Sequence, residues 1–477
     1  ENAKDKSKGK KTWSYEAINV RDFAFNSSRR LVWDAMAADV EGKKVMCMSY
    51  YGKEAYPIYK KYSTKAVYHT IKTYSKFTIA YPYPVAISVE ASIGMEYPMI
   101  AMNYGRAEKD GTYSEATKYG AIGVIIHEVG HNFFPMIINS DERQYWWMDE
   151  GLNTFVQFLT EQEFDNNYPS RRGPAHLIAD YMKLPKDMLE PIMTKGDNVA
   201  SVGSNAYAKA ATGLNILRET IMGRELFDYA FKEYARRWAF KHPTPNDLFR
   251  TLEDASAVDL DWFWRGWYFG TEPVDIAIDS VKWFRLDANK NLASMKAPEF
   301  ETISKVRNRD DKNLIYYTNT DTTLRDYYYY NRAADAKMFQ DMAQQQLDAQ
   351  KDNANYAAWE DKHFYELQFS NKGGMVMPII VEWTFTDGSK EVDRIPVGIW
   401  KLNEQKVTKL FAKNKEVVGI KLDPMRETAD INESNGMWPV REMPSRFQLF
   451  KGASTISGLG APRGGGPSIN AMQKAKK

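Results

Sequence analysis

The chain has 477 residues, with 64 Lys+Arg against 62 Asp+Glu and a formal net charge of +2. That length accommodates about three domains, and the near-balance of charge argues against nucleic acid as a main partner. With 43% hydrophobic and 14% aromatic residues the bulk of the chain is not disordered. A single cysteine excludes an intrachain disulfide and any cysteine metal cluster.

In chain order, residue 1 is Glu, no signal-peptide pattern is present after it, and Lys4, Lys6, Lys8, Lys10 and Lys11 form a basic run that reads as a solvated loop. The start reads as a chain entered part-way. Residues 12–25 read as a strand and connection, and 43–50 and 83–90 as further strands. Between them, 54–80 carry apolar residues at helical spacing. Residues 114–138 predict a long helix, apolar on more than one face and so buried. Its apolar run Ala121–Ile126 is far short of the ~20 residues that a membrane helix needs, which fits a soluble protein. Residues 149–164 predict a second helix, and 206–270 are helical throughout.

After Pro273 the pattern changes. Val274–Leu286 alternates as a strand, and 331–354 read as one exposed polar helix. Residues 363–435 read as several strands, with turns at Asn371, Asp387-Gly388 and Asn414-Lys415, together a small β-sandwich. The run Tyr327–Tyr330 reads as an aromatic packing surface or strand. Gly458, Gly460, Gly464, Gly465 and Gly466 and the basic end mark a flexible tail.

The strongest chemical signal is His127-Glu128-Val129-Gly130-His131, inside the long predicted helix. Residues i and i+4 share a helix face, about 6 Å apart along the axis. Two imidazoles so placed reach one metal at ~2.0–2.1 Å. Glu128 projects beside that metal, where a general base takes a proton from an activated water. A catalytic zinc needs a third protein ligand and an open fourth position. Asp149 and Glu150, near the start of the next helix, are the candidates for that ligand. His69, His176, His242 and His363 lack ligand spacing; Trp146 and Trp147 read as packing beneath the ligand loop, and Arg171 and Arg172 as solvated.

His127-Glu128-x-x-His131, eighteen residues and then Glu150, with Trp147-Met148-Asp149-Glu150-Gly151 around it, resembles the gluzincin metalloaminopeptidases, the family of aminopeptidase N and leukotriene hydrolase, in a bacterial branch. The resemblance covers roughly residues 12–275. It implies Glu150 as the third ligand to one zinc ion. Ile93-Gly94-Met95-Glu96-Tyr97 resembles the family's Gly-x-Met-Glu-Asn strand, with Ile93 for the first Gly and Tyr97 for Asn. This implies that Glu96 binds the substrate's α-amino group while backbone at Gly94 and Met95 holds the scissile peptide. Tyr207-Ala208-Lys209-Ala210 resembles Tyr-x-Lys-Gly, implying that Tyr207 donates a hydrogen bond to the oxyanion.

The expected fold is α+β: a thermolysin-like zinc peptidase domain followed by a small C-terminal β-sandwich. The expected divisions are 1–20 (end of an N-terminal β-domain), 21–273 (catalytic), 274–435 (β-rich) and 436–477 (tail). Most of the family's N-terminal β-domain is absent from the sequence, which implies a natural fragment, an incomplete chain, or a nicked protein whose second chain supplies that domain. The expected activity is hydrolysis of the N-terminal peptide bond of peptides with a free amino end. An endopeptidase, or a non-catalytic subunit that keeps the zinc site, are the alternatives.

Overall fold

The computed structural model describes residues 12–286, 301–330 and 361–440, with a few positions between 337 and 359 and residue 472. Residues 12–31 contain no strand, and Trp13, Tyr15, Ile18, Phe23 and Phe25 are exposed. The strand expected within 12–25 is therefore corrected. The first strand is β1 (Val32–Val40), whose Ala-Met-Ala-Ala centre carries little β signal of its own. What makes it a strand is its full-length antiparallel pairing with β2 (Lys43–Tyr51). The two residues between them, Glu41 and Gly42, both have positive φ, the geometry that matches a tight hairpin to strand twist.

From β2 the chain crosses through α1 (Tyr56–Phe77) to β3 (Val85–Glu90), which pairs parallel to β2. Then come β4 (Met95–Tyr97) and β5 (Ile100–Asn103). The sheet order is β1-β2-β3-β5-β4, so β4 is an edge strand with β5 as its only neighbour. A buried polar chain joins α1 to this sheet. Ser63 on α1 bridges Ser49 on β2 at 2.8 Å and Ser88 on β3 at 3.3 Å, and Asn103 on β5 donates to Ser88 at 2.8 Å. This chain of hydrogen bonds fixes the register of helix on sheet where apolar contacts alone would allow sliding.

α2 (Glu115–Gly130) is started by Ser114, whose hydroxyl accepts from the Thr117 amide. The sequence predicts continuation to 138, but the helix stops at Gly130, because Pro135 disfavours helical backbone before it and lacks the amide that would continue the ladder. His131 keeps right-handed helical angles, so the i, i+4 geometry survives. Next is α3 (Trp146–Phe164). A short α4 (Ala179–Met182) precedes a π-helical turn at Gly203–Lys209, and α5 (Ala210–Ile216) continues it. A second π turn at Leu217–Ile221 leads to α6 (Arg224–Trp238). α7 (Pro245–Ser256) opens with a capping box between Thr244 and Asp247, and α8 (Asp261–Phe263) runs into a third π turn at Trp264–Tyr268. The helical region expected over 206–270 is thus broken at 239–244. Trp147 lies buried against Phe249 and Tyr268, as packing rather than pocket wall.

The C-terminal part begins with β6 (Ile276–Arg285). After it come the short helices α9 (Ile303–Asp310), α10 (Tyr317–Thr320) and α11 (Tyr327–Tyr330). The tyrosine run is thus helical and not a strand: Tyr327 and Tyr330 are exposed on α11, and the Tyr329 and Tyr330 rings meet edge-on at 5.3 Å. The helix expected over 331–354 lies largely outside the described residues, as does most of the Gly-rich tail. β7 (His363–Asn371), β8 (Ile379–Phe385), β9 (Lys390–Ile395), β10 (Lys406–Lys413), β11 (Val417–Leu422) and β12 (Met437–Trp438) join β6 in two antiparallel sheets, β10-β7-β6 and β12-β11-β8-β9. The expected turns at Asn371, Asp387 and Asn414 all join strands. The two sheets meet where the Trp383 ring packs 4.9 Å from Phe411 and the Val417 amide donates to the Tyr365 hydroxyl. No helix among the described residues is long and apolar enough to cross a membrane.

Cys47, in the centre of β2, is fully buried, and burial pushes its thiol up to about 12. The native protein is therefore expected to give no reaction with Ellman's reagent at pH 8, and one thiol per chain in guanidinium. Native reactivity would mean that the β1–β2–β3 layer opens.

Candidate metal centre and active site

α2 and α3 run antiparallel side by side, as their contacts show. Tyr119 on α2 donates to Asp165 just past α3, His127 meets Gln157 and Asn153, and His131 meets Asp149 and Glu150. The two helices pack closely because Gly130 stands where Tyr74 and Asn153 approach. A Cβ there would lie 2.2 Å from the Tyr74 hydroxyl and 2.4 Å from Asn153 Oδ1. Tyr74, on α1, donates to Asn153 Oδ1 at 2.7 Å, and Asn153 donates to the His127 carbonyl at 2.9 Å.

Three atoms converge between the helices. His127 Nε2 and His131 Nε2 are 3.1 Å apart, and Glu150 Oε2 lies 3.1 Å from the first and 3.3 Å from the second. The hydrogen bonds behind the rings fix their protonation. Gln157 donates its amide to Glu161 at 2.8 Å, so its oxygen faces His127 Nδ1 at 2.9 Å, and that nitrogen must carry the proton. His131 Nδ1 lies 2.7 Å from the Phe134 carbonyl, an acceptor only, with Asp149 Oδ1 at 2.9 Å. Both Nε2 atoms therefore present lone pairs to each other and to a carboxylate oxygen. With both rings neutral, three acceptors meet at one point, an arrangement that a cation satisfies. Ligands at ~2.0–2.1 Å on a tetrahedral ion stand about 3.3 Å apart, which these spacings match. Despite the burial that opposes a charged His131, the carboxylates of Glu150 and Asp149 hold it well above the ordinary imidazole range, so without a metal a proton supplies the positive charge that this pocket draws in. Asp149 lies behind the His131 ring, on its Nδ1 side, and is not placed as a ligand.

Around this triad the other expected residues assemble. Glu128 is buried, and burial pushes its carboxyl up to about 7 against the pull of His127 and His131. It presses against Gly94, where a Cβ would lie 2.3 Å from Glu128 Oε1, so a side chain at 94 would push this carboxylate from its place. Met95 pairs with Met102 and Glu96 with Ala101 on β5. The Glu96 and Glu128 carboxylates and a His131 ring nitrogen lie within 4.8 Å of one another. Tyr207 sits on the first π turn, its ring stacked on His127 at 5.7 Å and its hydroxyl hydrogen-bonded to Glu150. Burial and Glu150 keep that phenol neutral far above its usual range.

Seven of the eight expected residues thus lie close together, and Met95 stands between two of them, Gly94 and Glu96, paired with Met102. The sequence reading missed the groups behind them: Gln157, Asn153 and the Phe134 carbonyl. It also misplaced Arg172, which is half-buried with its guanidinium carbon 4.4 Å from the Tyr207 ring centroid. Arg172 is held there by the loop after α3, whose proximity to Tyr207 no local pattern encodes. Arg171 is exposed, as expected.

Gly151 lets the Tyr207 segment approach Glu150. A Cβ at 151 would fall 2.5 Å from Ala210 Cβ and 2.7 Å from the Ala206 carbonyl. Gly151→Ala is expected to cost about 1–3 kcal/mol by overpacking, read by denaturant titration. Adding Ala210→Gly should recover only part, because the Ala206 carbonyl stays in the way.

The same region is similar to known proteins. Residues 62–267 match the peptidase family M1 domain. Glutamyl aminopeptidase of Sus scrofa is 26% identical over 181 residues, 35% of this chain and 19% of that protein. Probable aminopeptidase 1 of Sulfurisphaera tokodaii is 25% identical over 192 residues, 37% of this chain and 24% of that protein. The chain therefore spans about a quarter or less of these relatives. The crystal structure of Legionella pneumophila aminopeptidase A in complex with aspartic acid superposes with a TM-score of 0.54 at 11% identity, covering 84% of this chain and 38% of that one, a likeness of mixed α+β fold. The stretch that matches the peptidase family M1 domain thus holds the converging triad together with Glu96, Glu128 and Tyr207.

Proposed function

We propose that this chain carries the catalytic site of a zinc-dependent aminopeptidase, with a thermolysin-like catalytic domain over 21–273 and a β-sandwich over 274–435. The observation that carries the activity is the meeting of three unprotonated acceptors, His127 Nε2, His131 Nε2 and Glu150 Oε2, with the Glu128 and Glu96 carboxylates beside them. Two imidazoles and a carboxylate are a donor set suited to zinc. Bound there, zinc supplies a Lewis acid for a carbonyl and makes water acidic enough to lose a proton near neutral pH.

The chain's own residues do the rest. Glu128 takes a proton from the attacking water and passes it to the leaving amine. Its buried setting against Gly94 suits a group that must both accept and release a proton near pH 7. Tyr207, neutral and stacked on His127, turns its O–H from Glu150 to the oxyanion, charge that develops only in the transition state. Glu96 accepts from the substrate's α-ammonium, which measures the cut from the amino end. The free edge of β4 offers backbone groups to an extended peptide. The relatives named above are aminopeptidases, which supports the same reading.

Aminoacyl-arylamides should be cleaved, their N-acetyl forms at least about 100-fold more slowly, with activity lost to a chelator and restored by zinc. Equal cleavage of both sets would replace the aminopeptidase with an endopeptidase. Glu128→Gln should lower kcat/KM about 100- to 10,000-fold with zinc content unchanged. If instead no chelator-sensitive hydrolysis is found, the non-catalytic alternative stands.

Gln157→Ala frees the His127 ring to rotate and change tautomer. Zinc affinity, measured by competition with a coloured chelator, should fall about 10- to 100-fold. An unchanged affinity would remove Gln157 from the metal site.

A further inference from the structure

A cavity of about 410 Å³ opens beside the site, lined by His127, Glu128, Tyr207, Arg172, Gly123 and Tyr168 among others. Its α2 wall runs from Ala116 through Val124 to His127 and Glu128, whereas Glu96 sits by Glu128 and His131 and neither Glu96 nor His131 lines the cavity, so Glu96 lies off its His127–Glu128 end. A peptide held by its amino end at Glu96 therefore directs the residues beyond its scissile bond into this cavity.

Arg172 lies in its wall with an unusual surplus. Its guanidinium has no hydrogen-bond or ion-pair partner among the described residues, and its one close contact is the Tyr207 ring at 4.4 Å. The carboxylate facing the same cavity, Glu161, is committed to the Ser170 hydroxyl at 2.6 Å and the Gln157 amide at 2.8 Å. A half-buried guanidinium presents five donors that no side chain among the described residues engages. Its planar fork matches a carboxylate in bidentate fashion. One side chain, Tyr207, separates it from the ligand Glu150. A residue extends the chain by about 3.5 Å, so the group that reaches Arg172 belongs to the first residue after the cut.

Resting on the aminopeptidase reading, we propose that Arg172 is a specificity-determining residue that binds a carboxylate on the first residue of the leaving peptide. That carboxylate is either an acidic side chain or the C-terminus of a dipeptide. Exposed Arg171 at the rim adds a second positive charge that draws such substrates in.

The test compares kcat/KM for Leu-Glu-amide with Leu-Gln-amide, and for Leu-Ala with Leu-Ala-amide, in the zinc-loaded protein and in Arg172→Met and Arg172→Lys. A Glu/Gln ratio of about 10–100, carried by KM, assigns the side chain; a similar acid/amide ratio for Leu-Ala assigns the C-terminus. Each ratio should collapse toward about 1 in Arg172→Met and be partly retained in Arg172→Lys. Ratios near 1 in the unaltered protein overturn the proposal. So does a loss in Arg172→Met that falls equally on acid and amide, which would make Arg172 a positioning residue for Tyr207. If leucyl-arylamide itself is not cleaved, the aminopeptidase reading fails separately. Calorimetric binding of the same four peptides then decides on Arg172 by the same ratios.

Discussion

Three lone pairs pointing at one spot between two buried helices is the constraint on which the rest of this molecule depends. Left to themselves, two neutral imidazoles and a carboxylate repel. They are held at 3.1–3.3 Å because the groups behind them leave no alternative. Gln157 and the Phe134 carbonyl each take the Nδ1 proton of one ring, and Asn153 ties the turn of α2 that carries His127 to α3. Hydrogen bonds behind the rings and burial thus hold a donor set ready for a cation.

Small residues make this arrangement possible. Gly130 admits Tyr74 and Asn153, Gly94 admits Glu128, and Gly151 admits the Tyr207 segment. At each, a Cβ would sit within 2.5 Å of a neighbour, so the absence of a side chain is a packing requirement and not a source of flexibility. The π turn at Gly203–Lys209 adds to this by bringing Tyr207 over His127. Glu128, Tyr207 and Glu96 come from α2, the π turn and an edge strand, and only close approach of those elements brings them together.

The same close approach accounts for what lay beyond local reading. His127, Glu128 and His131 belong to one helical turn, so their spacing is a property of the helix and is legible without a fold. Glu150 needed a resemblance to choose it over Asp149. The structure supplies the physical reason, since Asp149 turns to the Nδ1 side of His131 while Glu150 meets both Nε2 atoms. Gln157 looked like an ordinary helix residue, and Arg172 like a solvated one. Strand β1 was missed for a related cause: its alanines become a strand only through pairing with β2.

By itself the sequence determined where the main helices lie and the order in which chemical groups are strung along them. Ser114 starts α2 and Pro135 prevents its extension because capping and proline act over a few residues. Tertiary structure alone decided which tautomer each histidine adopts, why glycine is required at 94 and 151, and that Arg172 faces a cavity without a partner among the described residues. Those outcomes depend on atoms far apart in the chain brought within hydrogen-bond or van der Waals range. Spacing along a sequence carries no record of such distances until the helices and sheet have closed on one another.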